Sequence, residues 1–221
     1  AALLSSIGHD LRTPLTAIAG ALDAIAQQHP DAAALPMARI DVGRLRRFLD
    51  NLLDMVRIDT GKLEPRLEAV DLVDAVASAV HDLKDQLLKR HIDLRVPANL
   101  PLVNADPVLL HHVLLNLLTN ASIHGAMGES DRIIIEGKRT PDAVTLAVRD
   151  NGPGLNSEDD GEMFDNFARG KGDDRQTGSG LGLASVKGFA QAMNVGVMAR
   201  NHEDGGAEFT IVFQSVVSAN P

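Results

Sequence analysis

Apolar residues near the start of the chain recur every three or four positions, at Leu4, Ile7, Leu11, Leu15, Ile18, Leu22 and Ile25. That spacing predicts a helix whose apolar seam packs lengthwise on other helices. His29-Pro30-Asp31 interrupts the pattern and Leu35-Pro36 interrupts it again, so the first helix is expected to end near Gln28. A second periodic stretch runs through Ile40, Leu45, Leu49, Leu52, Met55 or Val56, and Ile58, and stops at Thr60-Gly61 with glycine placed to cap it. Two helices of about 25 residues would each be roughly 35 to 40 Å long. A lone hairpin leaves its seam exposed. A second copy would bury it in a four-helix bundle, so a homodimer is expected, with packing of the seam on the rest of the chain as the alternative.

From Leu67 the period changes. Val70-Asp71-Leu72 reads as a strand end leading into a helix capped by Asp71, whose inner face is Val73, Val76, Val80, Leu83 and Leu87. Ile92 to Val96 alternates at period two and predicts a strand, followed by a short one at Leu102-Val103. Asp106-Pro107 is a strong helix start, since the carboxylate accepts free N–H groups and proline is preset for the first turn. Residues 131–139 and 143–149 read as a hairpin in which Ile133 and Ile135 match Val144, Leu146 and Val148. A helix from Ala184 to Ala192, strands at Val195 to Ala199 and Ala207 to Phe213 around Gly205-Gly206, and a fraying tail from Ser215 to Pro221 complete the expectation. The boundary between hairpin and α/β part falls at 62/63.

Composition narrows the class. With 221 residues, 44% hydrophobic and 23% charged, the chain can form one large domain or two small ones. No apolar run approaches the roughly 18 residues of a membrane span, and no signal peptide is visible. The chain has no cysteine, which excludes disulfides and cysteine metal sites and fits a reducing compartment. A formal net charge of −9 argues against a generic nucleic-acid or anionic-membrane surface. Because the chain starts in helical sequence without an initiator methionine, a fragment of a longer protein is expected.

Several polar residues interrupt the apolar pattern. His9 sits off the first seam, with Thr13 one turn further on the same face and Pro14 loosening the helix beyond it; it reads either as a surface histidine beside a kink or as a chemical group. His112, Asn116 and Asn120 fall four apart on one face of an otherwise apolar helix. The asparagines could offer carbonyl oxygens to a hard cation or bond a neighbouring loop. Asp150-Asn151-Gly152-Pro153-Gly154 ends a strand, where glycines let backbone approach a ligand and a carboxylate can accept from an amino group, although the same word also makes a plain turn. A long Gly-, Asp- and Lys-rich connection follows and suggests a lid, with Phe164 and Phe167 near its base. It leads into Gly178-Ser179-Gly180-Leu181-Gly182-Leu183, a glycine-rich loop entering a helix, which suits phosphate oxygens but matches neither a P-loop nor a Rossmann turn.

Taken in order, these words resemble the catalytic core of sensor histidine kinases. His9 to Leu15 resembles the H box, Asn116 to Ala121 the N box, Asp150 to Gly154 the G1 box, Phe164 to Arg169 the F box and Gly178 to Leu183 the G2 box. Leu52 to Ile58 followed by Thr60-Gly61 is most similar to Kdp-type potassium sensor kinases. The resemblance implies an α+β chain: a dimerisation and phosphotransfer hairpin (1–62), then an ATP-binding α/β sandwich (63–221) of the kind shared with gyrase and Hsp90. It further implies that Asp150 binds the adenine amino group, with Gly152 and Gly154 beside it. Asn116 and Asn120 would hold Mg²⁺; Phe164, Phe167, Arg169, Gly178, Gly180, Leu181 and Gly182 would complete the ATP site.

By the same resemblance, His9 takes the γ-phosphate, Asp10 acts as base or orients the imidazole, and Thr13 positions water for a phosphatase reaction. Asp10 is offset by about 100° from His9 around a helix, so that role rests on the resemblance. The implied partner is a response-regulator receiver domain, and membrane attachment would come only through a preceding region, with this core facing the cytoplasm. One departure stands out: Ile123 occupies the position where the family usually has a basic residue, followed by His124. A lost phosphate contact could be taken over by His124, Arg169, Lys171 or Arg175. A degenerate kinase acting as a dimeric scaffold and a related ATPase of the same fold are the competing functions.

Overall fold

The computed structural model describes residues 63–88, 90–125, 132–155, 164, 182–214 and 216–217, together with scattered positions between 16 and 53. The chain divides into two units, Ala1–Leu63 and Glu64–Pro221. In the first, the described residues between 16 and 53 are helical, including the run 16–22. Of the seam residues, Ile18, Ile25 and Leu45 are close to half exposed in the single chain; Leu53, which the expected seam did not include, is buried.

The second unit is built on a five-stranded sheet in the order β2-β4-β5-β7-β6. These strands are β2 (His91–Arg95), β4 (Arg132–Arg139), β5 (Val144–Asp150), β6 (Gly196–Asn201) and β7 (Ala207–Phe213). Neighbours run antiparallel except β2, which lies parallel to β4 with Ile92 beside Ile133 and Leu94 beside Ile135. Alternation at period two sends one set of side chains inward. Ile133, Ile135, Val144, Leu146, Val148, Phe209, Ile211 and Phe213 are all essentially buried. Leu94, on the edge strand, is 53% exposed despite the same alternation, because at the margin of a sheet the covering layer runs out.

Among the described residues, four helices accompany the sheet: α1 (Leu72–Asp82), α2 (Lys84–Leu87), α3 (Pro107–His124) and α4 (Gly182–Ala192). The central one is α3, flanked by α1 and α4 and resting on β5. Its position explains its composition: Leu110, Val113, Leu114, Leu117, Leu118 and Ala121 are all buried, on more than one face. Asp106 starts it, with Oδ1 accepting from the Val108 and Leu109 amides at 2.9 and 3.0 Å and Oδ2 from the Arg66 amide at 2.7 Å. At its far end the Arg90 guanidinium donates to the Ser122 carbonyl at 2.6 Å, and the Ser122 hydroxyl donates to the Gln86 carbonyl. These bonds tie α3 to the segment entering β2.

Asp71 caps α1 as expected, accepting from the Val73 amide at 2.7 Å. The inner face differs from the expectation, however. Leu72, Val76 and Ala79 are the buried positions while Val73 and Val80 are only half covered, and the helix is interrupted at Leu83 before α2 continues. Leu72 opens the helix directly after its Asp71 cap, as that cap implies. The tail also departs from expectation: β8 (Val216–Val217) pairs antiparallel with β3 (Leu102–Ala105), whose other side pairs with β1 (Glu68–Val70). The free edge of β3 and two adjacent valines suffice for that pairing.

Candidate functional site

The site is organised by Asp150, at the end of β5 and only 4% exposed. Its Oδ1 accepts two backbone amides, from Gly152 at 2.9 Å and from Ala207 at 3.2 Å. Its Oδ2 accepts no hydrogen bond among the described residues. A carboxylate so held is oriented by one oxygen and offers the other, which suits recognition of an amino group. Two glycines bring the surroundings close. A Cβ on Gly125, the C-cap of α3, would lie 2.6 Å from the Asp150 Cβ, and one on Gly206 would overlap the Asp150 carbonyl. Gly206 also has φ +84°, in the left-handed region that favours glycine.

Asn116 and Asn120 lie on α3, half-buried, on the same side as His112, whose ring meets Phe189 of α4 edge-on at 5.8 Å. Neither asparagine amide makes a hydrogen bond among the described residues. Amide oxygens left unused in half-buried helix positions are a hard-donor set, compatible with a divalent cation that keeps most of its water. Because Gly125 abuts Asp150, the end of α3 that carries Asn120 and the end of β5 share one rim of the domain.

Gly152 and Gly154 follow on the loop after β5, Gly154 with φ +83°. Phe164 is buried and stands edge-to-face on Phe209 of β7 at 6.3 Å, one strand over from Val148. Gly182 is the first residue of α4. Ile123 is 36% exposed. Phe167, Arg169, Gly178, Gly180 and Leu181, like His9, Asp10 and Thr13, lie outside the described residues.

The sequence reading passed over three residues that hold Asp150 and its loop. Ala207 acts through its backbone amide, which carries no residue-type signal. Gly125 was readable only as a helix end, although its role is to admit the carboxylate. Asn201 bonds both backbone atoms of Leu155, a partner 46 positions away. Beside them, the Gly205-Gly206 pair reads in sequence as a turn and nothing more.

Residues 105–216 match the family described as histidine kinase-, DNA gyrase B-, and HSP90-like ATPase. The chain belongs to that ATPase family. Residues 1–61 match the His Kinase A (phospho-acceptor) domain, and the two together make the chain a sensor histidine kinase core. Among curated relatives, this kinase core is 36% identical to sensor protein KdpD of Escherichia coli over 95% of the chain and 24% of that protein. It is 33% identical to the probable sensor histidine kinase TcrY of Mycobacterium tuberculosis over 94% of the chain and 44% of that protein. The chain thus spans from about a quarter to under half of these relatives' own length. In fold it is similar to full-length ShkA in complex with AMPPNP, with TM-score 0.75, 23% identity and coverage of 98% of the chain and 46% of ShkA. It is also similar to the Acinetobacter baumannii histidine kinase AdeS, with TM-score 0.66, 23% identity and coverage of 94% of the chain and 98% of AdeS. Among the described residues, no helix of the kinase core is long and apolar enough to cross a membrane.

Proposed function

We propose that this core autophosphorylates His9 from ATP and passes the phosphoryl group to an aspartate of a response-regulator receiver domain. The observation that carries the reading is the pairing, in one chain, of a phospho-acceptor domain with an ATPase domain whose buried Asp150 keeps one carboxylate oxygen free. On this reading the free Oδ2 accepts from the adenine amino group, and the Gly152 and Gly154 backbone lies against the base. Asn116 and Asn120 are the residues that would hold Mg²⁺; the ion, when bound, neutralises charge on the phosphate oxygens. Gly178, Gly180, Leu181 and Gly182 supply backbone amides toward the phosphates. Phe164, packed on Phe209, anchors one end of the segment carrying Phe167 and Arg169.

The chemistry asked of the hairpin is modest. A neutral imidazole nitrogen of His9 attacks the γ-phosphorus while the bond to the β,γ-bridging oxygen breaks and ADP leaves; the second ring nitrogen then gives up its proton. Asp10 orients the ring or takes that proton, and Thr13 positions water for dephosphorylation of the regulator. The partial exposure of Ile18, Ile25 and Leu45 in a single chain supports a homodimer in which a second hairpin covers the seam. Likeness to the KdpD sensor proteins supports a potassium-linked input, received by parts of a membrane-anchored protein outside this core, which works at the cytoplasmic face.

The deciding experiment is incubation with γ-labelled ATP and Mg²⁺, native chain against His9→Gln. Acid-labile, base-stable label that vanishes in the variant is the expected result. Absence of label from a native chain that still binds nucleotide would overturn the kinase reading for this core and leave a scaffold.

A further inference from the structure

The five-residue run that follows Asp150 is strung between two points on one hairpin. At its near end, the β7 amide of Ala207 holds Asp150 Oδ1 at 3.2 Å and Gly206 lies against the Asp150 carbonyl. At its far end stands Asn201, the last residue of β6. The Asn201 Oδ1 accepts from the Leu155 amide at 2.6 Å, and its Nδ2 donates to the Leu155 carbonyl at 3.0 Å. Both peptide groups of one distant residue are thereby taken by one side chain. Gly154 is shaped to allow it: its φ is +83°, and a Cβ there would lie 2.5 Å from the Asn201 Oδ1.

We propose that Asn201 is a positioning residue for nucleotide binding, clasping the Leu155 backbone so that the Gly152–Gly154 arch is set before the base arrives. The proposal rests on the reading that Asp150 and this arch receive the base. Its physical content is preorganisation. A segment with two glycines in five positions has many accessible conformations, and ordering it at the moment of binding weakens affinity; a clasp formed in the free protein removes that cost. Only a side chain with both a donor and an acceptor at this reach can close it. Aspartate, of the same shape, would keep the acceptor for the Leu155 amide but set a second oxygen against the Leu155 carbonyl.

The test compares the full chain with Asn201→Asp and Asn201→Ala. Three quantities are read: the dissociation constant for ADP in the presence of Mg²⁺, the exchange rate of the Leu155 amide, and the thermal midpoint. Two solvent-accessible hydrogen bonds predict a roughly fivefold loss of ADP affinity in both variants, with faster Leu155 exchange and an unchanged midpoint. In the phosphorylation assay the loss should fall on KM for ATP, with kcat retained. Native affinity in both variants overturns the clasp alone. A midpoint that falls together with affinity also overturns it, by making Asn201 a residue of the general fold. A folded native chain that binds no ADP overturns the nucleotide reading itself, and this proposal with it.

Discussion

Two buried aspartates of the α/β unit, Asp106 at 8% and Asp150 at 4% exposure, differ in how their oxygens are engaged. Asp106 has both oxygens engaged by backbone amides, two from the helix it starts and one from Arg66 forty residues earlier. Asp150 has two amides on one oxygen and, among the described residues, none on the other. A third buried oxygen extends the series: the Ser185 hydroxyl on α4, 1% exposed, has no hydrogen-bond partner among the described residues. Full satisfaction marks a group that serves the fold, and an orienting half-satisfaction marks one kept for a ligand. A buried hydroxyl with no partner among the described residues is a cost to the fold.

The sharpest break of that comparison is Asp150→Asn. The amide oxygen can still accept from Gly152 and Ala207, while an NH₂ replaces the free oxygen and faces the amino group it should bind. Nucleotide affinity should fall on the order of 100-fold or more with the thermal midpoint nearly unchanged, as calorimetric titration beside a melting curve would show. A large drop in midpoint would mean that Asp150, like Asp106, belongs to the fold.

Asp106→Ala is the mirror experiment. It orphans three backbone amides and removes an N-cap from the central helix, so a loss of about 2 to 3 kcal/mol in unfolding free energy is expected by urea titration, with ADP affinity preserved at temperatures where the variant is folded. Loss of affinity beyond the unfolded fraction would show that the two aspartates are not separable. Ser185→Ala should act in the other direction, raising stability by about 1 kcal/mol by deleting an oxygen that has no partner among the described residues; destabilisation would reveal a bond made in solution.

The smallest effect is expected at a half-buried surface carboxylate. Asp93 on β2 is bonded by Arg95 and, across the strand pair, by Arg132. Its acidity is strengthened by the Arg95 hydrogen bonds first and the Arg132 bond second. A carboxyl held below its ordinary range in the folded chain contributes stability that is complete above about pH 4 and disappears as pH falls through the lowered value. Asp93→Asn should therefore leave urea midpoints near neutral pH almost unaltered and flatten the acid limb slightly. A large neutral-pH loss would show that this surface pair does more than its exposure allows.

Much of this was legible in the residue order. Asp71 and Asp106 announced their helices through capping chemistry, and Ile133, Ile135, Val144, Leu146 and Val148 announced a hairpin through period-two alternation; the structure has all of these. Local signals failed where coverage decided the outcome. Leu94 alternates correctly and is nonetheless half exposed, the buried face of α1 is turned from Val73 to Leu72, and Val216–Val217 pair where a frayed end was expected. The motif words, too, located Asp150, Gly152, Gly154, Asn116 and Asn120 without saying what holds them.

The order of residues by itself determined most of the helices and strands, where the central helix starts, and which family the chain belongs to, because capping, periodicity and motif spacing are properties of short stretches. Only the tertiary structure decided which oxygen of Asp150 is left free, why Gly125 and Gly206 admit it, and that Asn201 grips Leu155. Those contacts join residues 25 to 57 positions apart, several of them through backbone atoms that every residue type carries, and no local pattern encodes a partner of that kind.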